Sequence, residues 1–488
     1  MKTLSDLWMP PPDPDLIAEA RAVTTFETTA STAPTGNPAG ATKRLTGFEH
    51  ADQGNAERVF QYAGDTFKYV VESGKWLVWN GSRWIPDTTG HMVRLFVDVM
   101  KATGKQAFDD ISDPRKAEAM AKFALRSLDQ PRVAAGLEML KSIKGVSVSV
   151  NDLDKDPWIL GTPDGMIDLT TGSTITPDRG RLITKSIGTE CDPTATCPTW
   201  KKFINTVTGG DPELEAYLQV AVGYTLTGSN REQCLFFLHG KGSNGKGVFS
   251  ETLKRLFGDY GQTAPETMFT KDRNQGPSND IARLAGCRLA IAAELEENVS
   301  FAESRIKALT GDDTISARFL FKELFDFRPT HHFWISGNHK PNIRGADMGI
   351  WRRIRLLPFT VCIPDDQKDR RLAEKLEGEL RGILNWALEG CIRWQSEGLT
   401  TPRCVKLATD EYRAEEDVLG QFLDDCTREE RDGRVLMASL YQAYQGWTER
   451  EGLKYPLTAR IFNRKLVERG LQHYKSNGGK FWKGIDTT

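Results

Sequence analysis

The sequence has no run of about 18 apolar residues, which is the length that a membrane-spanning helix needs. Its first residues lack the apolar segment of a signal peptide and soon reach Pro10-Pro-Pro-Asp-Pro. The eight cysteines include no Cys-x-x-Cys pair, so a zinc site is not expected. Free thiols in a reducing compartment fit this pattern best. We therefore expect a cytoplasmic protein with no membrane segment.

An excess of charge of one sign is also absent. The 64 Lys and Arg residues and 66 Asp and Glu residues give a formal net charge of −2 at pH 7. Any contact with nucleic acid must then come from local basic patches. With 488 residues, of which 39% are hydrophobic, the chain has room for about two to four domains and at least one sizeable core.

A glycine-rich turn follows the apolar run 234–238. Residues 239–250 read His-Gly-Lys-Gly-Ser-Asn-Gly-Lys-Gly-Val-Phe-Ser, and an amphipathic helix is expected to open at Asn244. The spacing fits the phosphate-binding pattern G-x-x-x-x-G-K-[ST], except that Gly247 replaces the hydroxyl residue. Glycines let backbone N–H groups approach a polyphosphate, and the lysine supplies a mobile cation. The predicted ATP-binding residues are Gly240, Gly242, Ser243, Asn244, Gly245, Lys246, Gly247 and Val248. A purely structural loop is the alternative, because Gly247 lacks the hydroxyl that normally reaches Mg²⁺.

Hydrolysis of a nucleotide needs an acid that holds a metal and a group that positions water. An apolar strand predicted over 288–293 ends in Glu294 and Glu296, which share one face by the period of two. A second apolar strand ends at Asn338, whose amide could hold the attacking water. The alternatives are a solvated helix start for the acids and a turn residue for Asn338.

Two further groups of basic residues are candidates for the same reaction. Arg352 and Arg353 precede another strand and could stabilise charge on the nucleotide of a neighbouring subunit; a surface arginine pair is the alternative. Apolar residues alternate on both sides of Lys322, which predicts a hairpin with a basic tip. Together with Lys307 and Arg318, this hairpin would grip DNA phosphates without reading sequence.

The rest of the chain divides by composition and by pattern. A hairpin is predicted over 67–85, helices over 91–146, and a helix capped by Asp211. The tryptophans of the hairpin could stack bases, but packing on the helices is the expected use. The predicted domains are a flexible tail (1–45), an N-terminal α+β domain (46–200), an α/β ATPase core (201–365), a helical lid (366–400) and a winged helix-turn-helix (405–488).

The last domain is predicted from three helices, over 415–426, 435–451 and 458–469, followed by a strand and turn over 474–482. Its basic residues Arg464, Lys465 and Lys480 suit DNA, with Phe481 and Trp482 on the wing. Winged helices also bind proteins, which is the alternative use.

The order of these motifs resembles the superfamily 3 helicases, and within them the poxvirus and phage/plasmid helicase-primase family. The core carries the phosphate loop, the carboxylate strand, Lys-x-x-Thr-Gly-x-Asp at 307–313, the strand with Asn338, and Trp-Arg-Arg at 351–353. Outside the core, the segments 76–84, 164–172, 197–200 and 223–228 also match the family pattern, so the likeness covers roughly residues 50–485.

The resemblance implies an α/β fold with an AAA+-like P-loop ATPase core, a mostly helical N-terminal domain and a C-terminal winged helix. It implies a homo-oligomeric ring, usually a hexamer, that hydrolyses ATP with Mg²⁺ to move along single-stranded DNA and unwind forks. Lys246 becomes the phosphate lysine, Glu294 with Glu296 the acid that holds Mg²⁺ through water, Asn338 the sensor, and Arg352 or Arg353 the finger. Ser250, one helical turn after the loop, is a doubtful direct ligand because of an axial offset of about 4.5 Å.

The expected context is replication of a phage, prophage or plasmid in a bacterial cytoplasm. The roughly 50 residues before the helical domain are too few for the α/β domain that a primase needs, so no primer synthesis is expected and a separate primase or polymerase would be a partner. Two other functions stay open. One is a replication initiator whose ATP site drives assembly, and the other is a small-molecule kinase.

Overall fold

The computed structural model describes residues 44–270, 279–292, 299–320, 323–343, 348–452, 456–476 and 478–487. Residues Leu45–Thr488 form one compact unit. The predicted tail (1–45) falls almost entirely outside the described residues. The structure is a mixed α/β fold that contains a parallel sheet, and the finer domain boundaries stay predictions.

The N-terminal part combines helices with a small sheet. Its elements are α1 Asp52–Ala63, β1 Phe67–Val70, β2 Lys75–Trp79, β3 Trp84–Pro86, α2 His91–Asp110, α3 Pro114–Arg126, α4 Gln130–Lys141 and β4 Ser147–Val148. The predicted hairpin is confirmed as β2 and β3, and β1 and β4 extend it to a four-stranded sheet in the order β3-β2-β1-β4. The Asn80 side chain accepts hydrogen bonds from the backbone N–H groups of Ser82 and Arg83, which closes the turn. Trp84 is fully buried, so the packing interpretation holds for this tryptophan.

A second small sheet links this part to the core. It contains β5 Ile159–Gly161, β6 Met166–Asp168 and β7 Ser173–Ile175 in antiparallel order. The buried guanidinium of Arg288 donates to the carbonyl oxygens of Pro157 (2.7 Å) and Asp156 (3.0 Å), just before β5. Burial lowers the pKa of Arg288, and these carbonyl partners compensate the buried charge. The side chain therefore fastens the small sheet to the core.

The core is built on a five-stranded parallel sheet with the order β14-β8-β13-β10-β9. Its elements are α5 Pro198–Val207, α6 Pro212–Leu226, β8 Leu235–His239, α7 Lys246–Phe257, β9 Gly261–Thr263, α8 Asn279–Ala282, β10 Leu289–Ala292, α9 Glu303–Leu309, β11 Ile315–Arg318, β12 Leu324–Phe327, β13 His332–Gly337, α10 Met348–Trp351 and β14 Ile354–Pro358. The central strands β8 and β10 are rich in buried apolar residues, as is typical of a parallel sheet that helices cover. The predicted cap of α6 is confirmed, since the Asp211 carboxylate accepts from the N–H groups of Glu213 (2.9 Å) and Leu214 (3.3 Å).

The predicted hairpin between β10 and β13 is also confirmed. Strands β11 and β12 pair antiparallel, with Ile315 opposite Phe327 and Arg318 opposite Leu324. Ala317, Phe325 and Phe327 lie on the buried face. Lys322, at the predicted basic tip, lies outside the described residues.

The C-terminal part differs from the prediction in two elements. It contains α11 Leu372–Gly378, α12 Leu380–Glu397, α13 Arg403–Glu415, α14 Val418–Cys426, β15 Thr427–Leu436, α15 Met437–Arg450, α16 Ala459–Glu468, β16 His473–Ser476 and β17 Gly479–Thr487. The strand β15 was not predicted, because its charged sequence has no alternation; it forms by pairing with β17, from Thr427–Thr487 to Leu436–Phe481. Helix α13 was not predicted either, because Pro402 was interpreted only as a boundary. Trp482, which was expected on a wing suited to DNA, lies on β17 but is fully buried in the C-terminal core, so its predicted contact with DNA is wrong.

Candidate active site

The glycine-rich turn occupies the carboxyl end of β8. Helix α7 begins at Lys246, two residues later than predicted, because Gly245 is left-handed (φ 84°) and stands before the first helical residue. A Cβ on Gly245 would lie 2.5 Å from Val207 Cγ1, and one on Gly240 would lie 1.9 Å from the Phe359 carbonyl oxygen. Both positions therefore require glycine, as a phosphate-binding turn would.

The Lys246 ammonium group lies inside this turn. The side chain is 6% exposed and donates to the Gly240 carbonyl oxygen (2.5 Å), to Asn244 Oδ1 (3.2 Å) and to Asn338 Oδ1 (3.1 Å). It also stands at the N-terminus of α7, where the helix dipole and unpaired N–H groups favour an anion. The turn thus presents a buried cation at a helix N-terminus, which is suited to a phosphate.

Asn338 reaches the lysine because β13 and β8 are parallel neighbours. Gly337 lies opposite His239, so the residues that follow each strand emerge side by side. Ligands of open α/β sheets bind outside the carboxyl ends of the strands. Burial, with Lys340 and Lys246 nearby, lowers the pKa of His239, which keeps this imidazole neutral at pH 7. The structure brings together the predicted lysine and the predicted sensor.

A cavity of about 1220 Å³ opens over the turn. It is lined by the turn, by α5, by the ends of β9, β10 and β13, and by the segment that leads into α11. The sequence did not single out the basic residues Lys202, Lys368 and Arg370 of this lining. Lys368 Nζ lies 3.0 Å from Ser243 Oγ and 2.5 Å from Asp365 Oδ1. The charged run 365–371 was a possible indication of such a role, but only the folded chain places it over the turn.

Only some of the residues considered for the Mg²⁺ site lie within the described part of the chain. Glu294 and Glu296 lie outside the described residues, just beyond β10. Among the residues with described positions, no cluster of three His, Cys, Asp or Glu residues could hold a metal ion. Gly247 is exposed, and a Cβ there would meet no heavy atom within 4 Å. Ser250 lines the cavity. Since Mg²⁺ keeps several waters and binds substrate phosphates, one or two protein oxygens would suffice.

The two candidate finger arginines lie at the opposite end of the sheet from the turn. Both precede β14, whose first residue, Ile354, pairs with the first residue of β8, Leu235. Five strand residues, or about 16 Å, therefore separate them from the turn in their own chain. Arg353 is 7% exposed, and its guanidinium donates to Thr310 Oγ1 (3.0 Å) and to the Gly349 carbonyl oxygen (3.0 Å). Arg352 is exposed, with one long contact to Gln233 Oε1 (3.3 Å).

Three family models match successive parts of the chain. The model described as "D5 N terminal like" matches residues 56–209, and the one described as "Poxvirus D5 protein-like" matches residues 414–481. Between them, residues 238–353 match a "Family of unknown function (DUF5906)". The turn, the hairpin and the arginine pair all fall in this middle match.

Viral proteins match the chain in sequence. "Putative helicase L207/L206" of Acanthamoeba polyphaga mimivirus is 26% identical over 349 residues, covering 66% of this chain and 36% of the viral protein. "Putative helicase 022R" of Frog virus 3 (isolate Goorha) is 28% identical over 245 residues, covering 46% of this chain and 25% of the viral protein. By these matches the chain is similar to the D5-like superfamily 3 helicase-primases.

The matches span only 36% and 25% of the lengths of these two viral proteins. A solved structure, "The apo structure of NrS-1 C terminal region (305-718)", is also similar. It is 11% identical, covers 89% of this chain and 99% of its own, and has a TM-score of 0.49. At that score the likeness supports no further conclusion. Among the described residues, no helix has the length and the apolar character that a membrane span requires.

The predicted DNA-binding residues with described positions occupy different surfaces of the chain. Lys307 is half-buried on α9, and Arg318 is exposed at the end of β11. On α16, Arg464 pairs with Glu468 (3.4 Å), whereas burial lowers the pKa of the half-buried Lys465. Lys480 is exposed on β17, where it pairs in register with Lys475. The hairpin and the C-terminal sheet thus offer separate exposed cations.

Proposed function

We propose that this chain is an ATP-dependent DNA helicase that forms a ring, moves along single-stranded DNA and unwinds forks. The observation that carries the proposal is the contact between Lys246 Nζ and Asn338 Oδ1 (3.1 Å) at the floor of a cavity of about 1220 Å³. Two groups that follow neighbouring strands in the chain converge where a terminal phosphate would sit. One supplies positive charge and the other can orient water, and together they suit phosphoryl transfer.

Within this proposal, the lysine binds the polyphosphate and Asn338 positions the attacking water. Mg²⁺, when bound, neutralises charge on the phosphate oxygens, with Glu294 and Glu296 as the proposed acids that hold it through water. Lys368 and Arg370 add positive charge from the segment before α11. The chain therefore supplies cations from two sides of the cavity.

The position of the arginines supports the proposed ring. Because Arg352 and the turn lie at opposite ends of one sheet, an arginine finger at Arg352 has to act on the nucleotide of a neighbouring subunit. The exposed Arg352 suits this role better than the buried Arg353. Arg318 on the hairpin, together with Lys480 on β17, would contact DNA phosphates at two places. Single-stranded and forked DNA, other copies of the chain, and a separate primase or polymerase are the proposed partners, in phage, prophage or plasmid replication.

The direct test measures ATP hydrolysis by the full chain with and without single-stranded DNA, and strand separation of a forked duplex. We expect DNA to stimulate hydrolysis and ATP to be required for strand separation. An absence of stimulated hydrolysis would contradict the helicase proposal.

A mixing experiment tests whether Arg352 acts on the nucleotide bound to a neighbouring subunit. Lys246→Ala and Arg352→Ala chains should each be inactive, because one lacks the phosphate cation and the other lacks the finger. Mixed oligomers contain interfaces at which an intact Lys246 meets an intact Arg352, so mixing should restore part of the hydrolysis. If the mixture stays inactive while both variants oligomerise, the arginine does not act across the interface.

A replication initiator, in which ATP drives assembly alone, is a second candidate. It is favoured by Gly247, which lacks the hydroxyl that normally reaches Mg²⁺. An initiator would bind ATP and oligomerise on DNA but would not separate the strands of a fork. The strand-separation assay therefore distinguishes the two candidates.

A further inference from the structure

The segment that follows Asn338 is held on both sides by other parts of the chain. On one side it forms hydrogen bonds with residues that follow the acidic stretch 294–297 in the sequence. The Asn342 N–H donates to the Val299 carbonyl oxygen (2.8 Å), and the Phe301 N–H donates to the Asn342 carbonyl oxygen (3.1 Å). Residues 339–343 are thus bonded to residues 299 and 301 on this side.

On the other side, the end of α13 contacts residues 339–343 three times. The Tyr412 hydroxyl donates to the Pro341 carbonyl oxygen, and Tyr412 is 1% exposed. The Glu416 carboxylate accepts from the Ile343 N–H at 2.7 Å. Lys340 Nζ lies 2.7 Å from Glu415 Oε2 and 5.5 Å from the centre of the Tyr412 ring.

Helix α13 is itself fixed to the core sheet, so it can act as a support. The Thr409 hydroxyl accepts from the Leu356 N–H of β14 (3.2 Å), and the Tyr412 ring packs edge-on against Trp351 (5.1 Å between ring centres). A rigid helix that bonds two backbone groups of a short segment restricts where that segment can lie. Asn338 is separated from Pro341 by only two residues, so a shift of this segment moves its amide.

We propose that Tyr412 and Glu416 are positioning residues for Asn338, which hold residues 339–343 so that the Asn338 amide stays beside Lys246. This inference rests on the proposed function and assigns a role in ATP turnover to α13, which lies outside the cavity lining. Neither side chain touches the nucleotide in this account. Their loss should therefore slow the chemical step and leave nucleotide binding almost unchanged.

The test compares full-length Tyr412→Phe, Glu416→Ala and Glu416→Gln with the wild type. Tyr412→Phe removes only the hydroxyl donor, and Glu416→Ala removes the acceptor for the Ile343 N–H. Glu416→Gln keeps an acceptor oxygen on a side chain of the same length and serves as the rescue variant. Glu411→Gln changes an exposed carboxylate of the same helix and is the matched control.

Four quantities are measured: kcat and KM for MgATP with single-stranded DNA, the affinity for a fluorescent ATP analogue, and the thermal unfolding midpoint. We expect kcat to fall about tenfold in Tyr412→Phe and Glu416→Ala, with nucleotide affinity within about twofold of the wild type. Glu416→Gln should recover most of kcat, and Glu411→Gln should match the wild type.

Two results would overturn the inference. One is an unchanged kcat in Tyr412→Phe and Glu416→Ala. The other is a joint fall of kcat, nucleotide affinity and unfolding midpoint, which would show a purely structural role. If the wild type itself does not hydrolyse ATP, the proposed function fails instead, so the two failures can be told apart.

Discussion

Gly247 is the position at which the glycine-rich turn departs from its pattern, and replacing it tests the interpretation of the whole turn. It is the second residue of α7, it is not left-handed, and a Cβ there would meet no heavy atom within 4 Å. Gly247→Ala should therefore introduce no clash, and it should stabilise the helix by up to about 1 kcal/mol through propensity alone. Gly247→Ser adds the hydroxyl that the pattern expects near Mg²⁺.

The expected effects of the Gly247 variants on kcat follow from the open space around this residue. We expect kcat of Gly247→Ala to stay within about threefold of the wild type, which is about 0.7 kcal/mol in the activation barrier. Gly247→Ser should match or exceed the wild type and should reach half-maximal rate at a lower Mg²⁺ concentration. Gly245→Ala is the contrasting variant, because its left-handed φ and its approach to Val207 predict roughly 1–3 kcal/mol of strain within the turn. Its turnover should fall by about tenfold or more.

The assay is steady-state ATP hydrolysis by the full chain over a series of MgCl₂ concentrations, with single-stranded DNA present. Thermal unfolding of each variant serves as the folding control. If Gly247→Ser abolishes turnover while the protein stays folded, the hydroxyl is harmful at this position and our account of the turn is wrong. If Gly245→Ala is fully active, the turn does not need its left-handed glycine.

The remaining predictions concern other residues of the site and one buried histidine. Lys246→Ala should abolish ATP turnover in the hydrolysis assay, because no other side chain of the described residues provides the same contacts to Gly240 and Asn338; normal turnover would contradict the assignment. Asn338→Ala should lower kcat by about 100-fold, the lower end of what a positioned catalytic group contributes, with little change in nucleotide affinity measured by fluorescence. Arg353→Ala should lower the thermal unfolding midpoint, since it removes buried hydrogen bonds to Thr310 and Gly349, and an unchanged midpoint would refute the structural role. Burial lowers the pKa of His332 to about 4, so its stabilising contribution is complete above its unfolded pKa of about 6.5 and is lost as the pH falls towards 4. Between pH 7 and pH 5 this loss is about 2 kcal/mol, and thermal unfolding of His332→Gln should depend less steeply on pH than that of the wild type.

Local patterns in the sequence predicted those elements whose structure depends on residues close together in the chain. The apolar run before Gly240 predicted a buried strand, and the alternation around residue 322 predicted a hairpin, because strand periodicity is visible within a few residues. The Asp211 cap was predicted for the same reason, since an N-cap bonds only to residues two and three positions on. Where the local pattern was weak, as in the charged strand β15, pairing with β17 decided the structure instead.

The identities of the site residues are therefore properties of the sequence, whereas their convergence is a property of the tertiary structure. The sequence motifs identified Lys246 and Asn338 as candidates. Only the order of the parallel strands places Asn338 Oδ1 3.1 Å from Lys246 Nζ. The sequence presented Arg352 and Arg353 as equals, and folding separated them by burying one and exposing the other. Lys368 had no motif at all, and it reaches the turn because its segment folds back over the cavity. Strand order, burial and chain reversal depend on contacts between distant residues, so no local pattern could encode them.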